Sequence, residues 1–307
     1  MLTFKKAEKK QAKLRLALTG PSGSGKTYSA LLIASGIGKK IALIDTENHS
    51  ASLYADEFQF DTLELDPPYT IDKYLNAIDT AVKAGYDVLI IDSISHAWAG
   101  EGGLLEKKAA LDIRGGNSYT NWAGPTKEHE QFKSRLLNCD IHLIVTMRSK
   151  QDYVLEQNEK GKSAPRKVGL APIQREGMEY EFTLVLDMAM DHNANVSKTR
   201  VKKYDGKLFK PDQKTGEDLL AWLMEGKPVE KEEVKKEELK GSFDDINKIK
   251  KIVDAFVSQG IESGLVEAYI ESLPFNSTSG IIAHMGKIWI EQNGSLEKLN
   301  KTFKGGK

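Results

Sequence analysis

Residues 14–27 read Leu-Arg-Leu-Ala-Leu-Thr-Gly20-Pro-Ser-Gly-Ser-Gly-Lys26-Thr27. An apolar run ends in the pattern G-x-x-x-x-G-K-[ST], and residues 28–35 continue with the spacing of a helix. Strand, glycine-rich loop and helix in that order suit phosphate binding. The glycines let successive backbone N–H groups turn inward around phosphate oxygens, and the helix N-terminus adds the positive end of its dipole. Lys26 is placed to reach the terminal phosphates and the Thr27 hydroxyl to ligate magnesium. The expected contacts with a nucleoside triphosphate are therefore Gly20, Pro21, Ser22, Gly23, Ser24, Gly25, Lys26, Thr27 and Tyr28.

Outward from this stretch, apolar runs at 41–45, 88–92, 141–146 and 182–187 read as buried strands. Helical patterns at 71–84 and 127–137 separate them, and 217–224 reads as a closing helix. Alternating strands and helices predict an α/β fold, a mostly parallel sheet flanked by helices, over residues 1–226. Residues 228–240, PVEKEEVKKEELK, are nearly all charge, and 227–241 is expected to be a linker or an exposed helix. Residues 242–307 then regain helical periodicity, with apolar positions at Ile246, Ile249, Val253, Phe256 and Val257, at Leu265, Val266, Tyr269 and Ile270, and at Ile281, Ile282, Met285, Ile288 and Trp289. A small all-α domain is expected there, suited to protein contacts.

Composition narrows the function classes. Forty-four basic residues balance 44 acidic ones, so a globally basic nucleic-acid coat is excluded while local basic faces are not. Residues 45–79 hold nine acidic residues and one basic, whereas 148–175 hold seven basic and three acidic. Cys139 is the sole cysteine, which excludes an internal disulfide and fits a reducing compartment. No apolar run nears the roughly 20 residues of a membrane span, and no signal segment is visible, so a cytosolic protein without membrane partners is expected. The six histidines show no metal-ligand spacing.

Asp92 ends the run YDVLIID, where nucleoside triphosphatases carry the acid that holds magnesium through water. Ser93 follows it, so a water-activating glutamate must come from another strand end; IALIDTE offers Asp45 and Glu47, which could equally be solvated acids. No Asn-Lys-x-Asp motif for reading guanine is present.

The segments GPSGSGKTYSALLIA, IALIDTENHSASLYAD, GYDVLIIDSISHAWAGEGGLLE, TMRSKQDYVLE and QREGMEYEFTLVLDM resemble the phage-encoded RecA-like AAA ATPases, over roughly residues 10–224. The resemblance implies ATP and Mg²⁺ as ligands, a bacterial-cytoplasmic setting, and work in DNA recombination, repair or replication as a ring or filament on single-stranded DNA. It implies that Glu47 orients the attacking water. It also implies that a basic residue near 197–203, first Arg200 and then Lys198 or Lys202, reaches a neighbouring subunit's phosphates. It places a DNA-binding loop at 148–175, with Arg148, Lys150, Lys162, Arg166 and Lys167 as its cations and a hairpin turn at 158–161; packing on a neighbouring subunit is the other reading. Residues 100–124, with Trp98, Tyr119 and Trp122, are a second candidate loop whose rings either stack bases or anchor the fold. RecA recombinases end the strand matching 141–146 in Asn-Gln; here Thr146-Met147 stands in their place, and only Thr146 can hydrogen-bond a phosphate. The alternative function is a slow ATP-switched adaptor that recruits a single-strand-annealing or single-strand-binding protein through the C-terminal helices.

Overall fold

The computed structural model describes residues 3–157, 163–228, 253–258, 260, 261, 263–272, 284, 285 and 288, with the backbone alone for 151–157, 163–168, 263, 267, 268, 271 and 272. The chain divides into two compact units, Met1–Val229 and Glu230–Lys307.

The first unit is one sheet between two layers of helices. Its strands are β1 (Arg15–Gly20), β2 (Ile41–Asp45), β3 (Asp61–Glu64), β4 (Val88–Asp92), β5 (His142–Gln157), β6 (Ser163–Pro172), β7 (Leu184–Met188), β8 (Ala194–Thr199) and β9 (Leu208–Phe209). They lie in the order β3-β2-β4-β5-β1-β7-β8-β9, with β6 paired to β5 outside this path. The pairs from β3 to β7 are parallel, and β7-β8-β9 is an antiparallel edge.

The central strands are buried on both faces, which is why they read as unbroken apolar runs. Their alternate residues serve opposite layers. Leu16, Leu18, Leu43, Ile90 and Ile144 pack with helices α1 (Lys26–Ser35) and α6 (Gln213–Met224). Ala17, Ile44, Leu89, Ile91 and Val145 pack with α2 (Ile71–Lys83) and α5 (Ala123–Leu137). On α2 the buried set Ile71, Tyr74, Ala77, Ile78 and Ala81 has the spacing of one helical face. Thr70 caps this helix by accepting a bond from the Lys73 amide, and Asp212 caps α6 with a reciprocal bond to Thr215.

Helices α1 and α6 approach so closely that a Cβ on Gly216 would lie 2.0 Å from the Ile33 carbonyl oxygen, and one on Gly36 2.1 Å from that of Gln213. At the unit's ends, the Gln11 amide donates to the Lys227 carbonyl and the Lys227 amide to the Lys9 carbonyl, each at 2.9 Å. Ion pairs Lys9–Glu225 (2.6 Å) and Lys227–Glu8 (2.7 Å) flank these bonds.

Some elements depart from the sequence expectation. Strand β3, DTLE, is exposed throughout, so no apolar signal marks it. Residues 100–124 follow α3 (Ser95–Ala99) and contain α4 (Leu104–Ile113), so this glycine-rich stretch is not one long loop. The basic stretch 197–203 begins inside β8. Strand β5 runs well past residue 146 and pairs antiparallel with β6 as far as Gln157 and Ser163; the expected turn at 158–161 and Lys162 lie outside the described residues.

In the second unit, residues 253–257 are helical and α7 spans Ser263–Ser272. Val253, Phe256, Ile261, Val266, Ile270, Met285 and Ile288 form a separate apolar cluster, while Val257 is exposed. Most of the expected linker at 227–241, and the expected apolar positions Ile246, Ile249, Ile281, Ile282 and Trp289, lie outside the described residues. Among the described residues, no helix is long and apolar enough to cross a membrane.

Candidate nucleotide-binding site

Strand register brings Gly20, Asp45, Asp92 and Thr146 to one edge of the sheet: Asp45 pairs with Asp92, Ile91 with Val145, and Leu18 with Thr146. This is the carboxyl edge, where ligands of open parallel sheets bind. Strand β5 lies between the strand of the phosphate loop and the strand of Asp92, leaving one strand's width between the two.

The phosphate loop turns through Gly23 (φ 82°) and Gly25 (φ 80°), both in the left-handed region that glycine adopts without penalty. A Cβ at Gly25 would also lie 2.8 Å from Nδ1 of His192, on the turn between β7 and β8. The Ser24 hydroxyl (2.9 Å) and the Lys26 ammonium (2.8 Å) both donate to the Pro21 carbonyl, which folds the loop onto itself. Helix α1 begins at Lys26, so its unpaired first amides face the loop. Burial pulls the Lys26 ammonium below its ordinary pKa, and the carboxylates of Asp92 and Glu47 partly restore it.

The opposite wall comes from the ends of β2 and β4 and from Thr146 and Arg148 within β5. Asp92 is buried; its Oδ2 accepts the Thr27 hydroxyl and its Oδ1 the Thr146 hydroxyl. Burial raises its pKa against these two bonds. No salt bridge reaches Asp92 among the described residues, so a buried carboxylate beside a hydroxyl fits a cation held by Thr27 and Asp92.

Glu47 follows β2. Its carboxylate accepts from Arg148 Nε (2.7 Å) and Nη2 and from the Ser93 hydroxyl (3.0 Å). Burial pulls its pKa up, but the Arg148 guanidinium and the Ser93 hydroxyl outweigh burial and hold the group below the usual carboxylate range. Asp45 acts on the backbone instead. Its two oxygens accept the Glu47 amide (2.6 Å) and the Ala51 amide (2.9 Å), shaping the turn that presents Glu47. Behind this turn the Thr46 hydroxyl accepts the Ser93 amide at 2.8 Å and lies 2.7 Å from His96 Nδ1. His96 stacks on Tyr69 at 4.8 Å between ring centres, and burial pulls its pKa down against the attraction of Glu47.

Between the walls lies a cavity of about 470 Å³, within the range of small-molecule sites. Ser22, Gly23, Gly25, Lys26, Thr27, Tyr28, Glu47 and Asp92 line it, so most of the residues expected at a nucleotide are brought together. Pro21 and Ser24 hold the loop's shape from within, and Gly20 joins it to β1.

Arg148 requires a correction. The sequence pattern places it among cations facing nucleic acid, but its guanidinium turns into the cavity and grips Glu47. The register explains this: Arg148 stands opposite Gly20 at the sheet edge, and its amide donates to the Ser95 hydroxyl at 2.9 Å. Lys150, two residues on, is exposed. Arg166 and Lys167 lie on β6 with only their backbone described, opposite Val154 and Tyr153. Arg200 is exposed just past β8 and does not line its own chain's cavity. Lys198, the runner-up, donates to the carbonyls of Tyr180 and Phe182 (2.6 Å for Phe182). Met147 is buried in the layer of α2 and α5.

His192, Lys210 and Tyr54 also line the cavity, and no motif in the sequence marks them. The one signal for Arg148 is its place at the end of a strand running beside that of Asp92. Lys210 has none, because its position depends on the two-residue strand β9.

The family model described as an AAA domain matches residues 12–218, which spans the sheet from β1 to β9 and reaches into α6. No curated protein matches the chain. With the glycine loop, buried Asp92 and cavity in place on a mostly parallel sheet, the chain belongs to the AAA-domain family of nucleotide-binding P-loop ATPases.

Proposed function

We propose that this protein is a magnesium-dependent, RecA-like ATPase of phage or prophage origin, acting in DNA recombination, repair or replication as an oligomer on single-stranded DNA. The observation that carries this reading is the Glu47–Arg148 pair. It joins an ionised carboxylate at the phosphate site to the residue from which the β5–β6 hairpin departs. Nucleotide hydrolysis and a basic hairpin then share one contact.

The chain's groups divide the work. Backbone amides of the glycine loop and the Lys26 ammonium bind the phosphates, and Lys26 neutralises charge that grows on them. Thr27 and Asp92 would hold magnesium, which would supply further charge neutralisation at the phosphates. Glu47 orients a water molecule for attack and draws off its proton. For that its carboxylate must be free, and Arg148 holds it until the hairpin moves. Arg200 serves a neighbouring subunit's phosphates, which fits its exposure outside its own cavity. Lys150, Lys162, Arg166 and Lys167 follow the DNA backbone without reading sequence.

The test is steady-state ATP hydrolysis at low salt, with and without single-stranded DNA, using Lys26→Ala as the blank. Stimulation that fades as salt rises is expected. A slow rate indifferent to DNA would overturn the DNA part and favour the second reading, an ATP-switched adaptor for a single-strand-annealing or single-strand-binding protein. That reading rests on the separate apolar cluster of the second unit.

A further inference from the structure

A second concavity, of about 820 Å³, shares no lining residue with the nucleotide cavity. Trp98, Tyr119, Trp122, Thr126, Arg175 and Glu176 line it. Trp98 and Trp122 stack with ring centres 5.8 Å apart and planes 17° apart. Tyr119 is 86 % exposed at its mouth.

A polar hub beneath the rings holds them in place. The Asp112 carboxylate accepts from Lys108, from the Ser118 hydroxyl (3.2 Å) and from the Asn121 amide (2.9 Å). These bonds tie down the turn that carries Tyr119 and Trp122, although no apolar core covers it. The exposed Tyr119 ring and the half-buried Trp122 on a pinned turn are pre-organised for a flat ligand at little entropic cost.

The opposite side supplies charge. Arg175 follows β6 by three residues, and its buried Nη1 meets no hydrogen-bond acceptor among the described residues. The strand that leads to it is anchored twice: the Ile173 amide donates to the Arg148 carbonyl at 2.7 Å, and the Gln174 amide group to the Ile94 carbonyl at 3.0 Å. The groove therefore begins where the basic hairpin of 148–175 ends, with seven basic residues against three acidic.

Flat rings beside an arginine whose buried Nη1 lacks an acceptor among the described residues, continuous with a basic hairpin, match alternating bases and phosphates. We propose that this groove takes unpaired bases of single-stranded nucleic acid, stacked on Tyr119 and Trp122, with Arg175 on an adjoining phosphate. The proposal rests on the DNA reading above. Every base has a π face, so the groove tolerates any sequence.

The test uses the full chain and fluorescence anisotropy with two labelled probes of equal length, an oligothymidylate and its abasic counterpart. Wild type is expected to prefer the base-bearing probe. Tyr119→Ala and Trp122→Ala should each weaken its binding by about five- to a hundredfold and erase that preference. Neither removes a phosphate contact, so the salt slope should hold; Arg175→Ala should instead lower the slope by about one. Trp122→Phe, which keeps a ring, should recover part of the loss. The Tyr119 ring is exposed, so its removal should leave the unfolding midpoint in place and any loss of binding reads as a lost contact. If wild type binds the oligothymidylate and both alanine variants match it, the groove is overturned while the DNA reading stands. If wild type binds neither probe, the DNA reading falls and the groove with it.

Discussion

One wall of the nucleotide cavity is a continuous piece of chain, residues 20–28, whereas the other is gathered from Glu47, Asp92 and Arg148. The Glu47–Arg148 pair spans 101 sequence positions, and Thr27 and Asp92 are 65 apart. The near wall holds its shape through bonds to Pro21, within the loop itself. The far wall holds its shape only while β2, β4 and β5 keep their register. On the proposed function, binding belongs mainly to the local wall and water activation to the assembled one, so each should fail without the other.

The sharpest break is Lys26→Ala. It removes the near wall's cation, and turnover should fall by about 10²–10³-fold or more. Steady-state hydrolysis measures this, and surviving turnover would deny Lys26 its role. Glu47→Gln should lose about 10²-fold or more in turnover while nucleotide binding persists. Normal turnover in that variant would remove the far wall from the chemistry.

A third prediction strikes the register between the walls. His142 opens β5, and its Nδ1 accepts the Leu14 amide at 3.1 Å. Burial, with help from Lys13 and Arg15, pushes its pKa down to about 4. The unfolded chain binds this proton near pH 6.5 and the folded chain does not, so the stabilising contribution is whole above that pH. It is lost as pH falls from about 6.5 to 4, at about 1.4 kcal/mol per pH unit and about 3 kcal/mol in all. Denaturant titrations at pH 7, 5 and 4 test this. His142→Gln should flatten the slope, and an unchanged slope would show that another group carries the proton.

The smallest expected effect sharpens the comparison. Arg148→Ala removes the partner that holds Glu47 low, leaving burial to raise it. The acid limb of the rate profile should move to higher pH. A limb that stays put would mean that Arg148 does not set the charge of Glu47.

The same contrast explains what could be read from the residues alone. A wall made of contiguous chain shows itself as a motif, and buried parallel strands show themselves as apolar runs; hence 41–45 and 88–92 match β2 and β4 residue for residue. Strand β3 has no buried face and leaves no pattern. Arg148 looks like a loop cation because charge and spacing say nothing of the side on which a strand end turns its side chain. His192 and Lys210 reach the cavity through the antiparallel edge, where a turn and a two-residue strand decide position. The groove's rings are visible as residues, but the stack of Trp98 on Trp122 depends on α3 and the segment before α5 converging.

The first unit's two ends are held together by the bonds between Lys9, Gln11 and Lys227. Topologically the unit is close to a closed loop. A short bridge from residue 228 back to residue 9 would make it one, and the chain could be reopened at Gly85, an exposed turn with open space around it. Such a circular permutant would keep the loop 20–28 unbroken and β2, β4 and β5 aligned. The order in which the walls are synthesised would reverse, with Asp92 and Arg148 made before Lys26, while the cavity that they enclose should be the same.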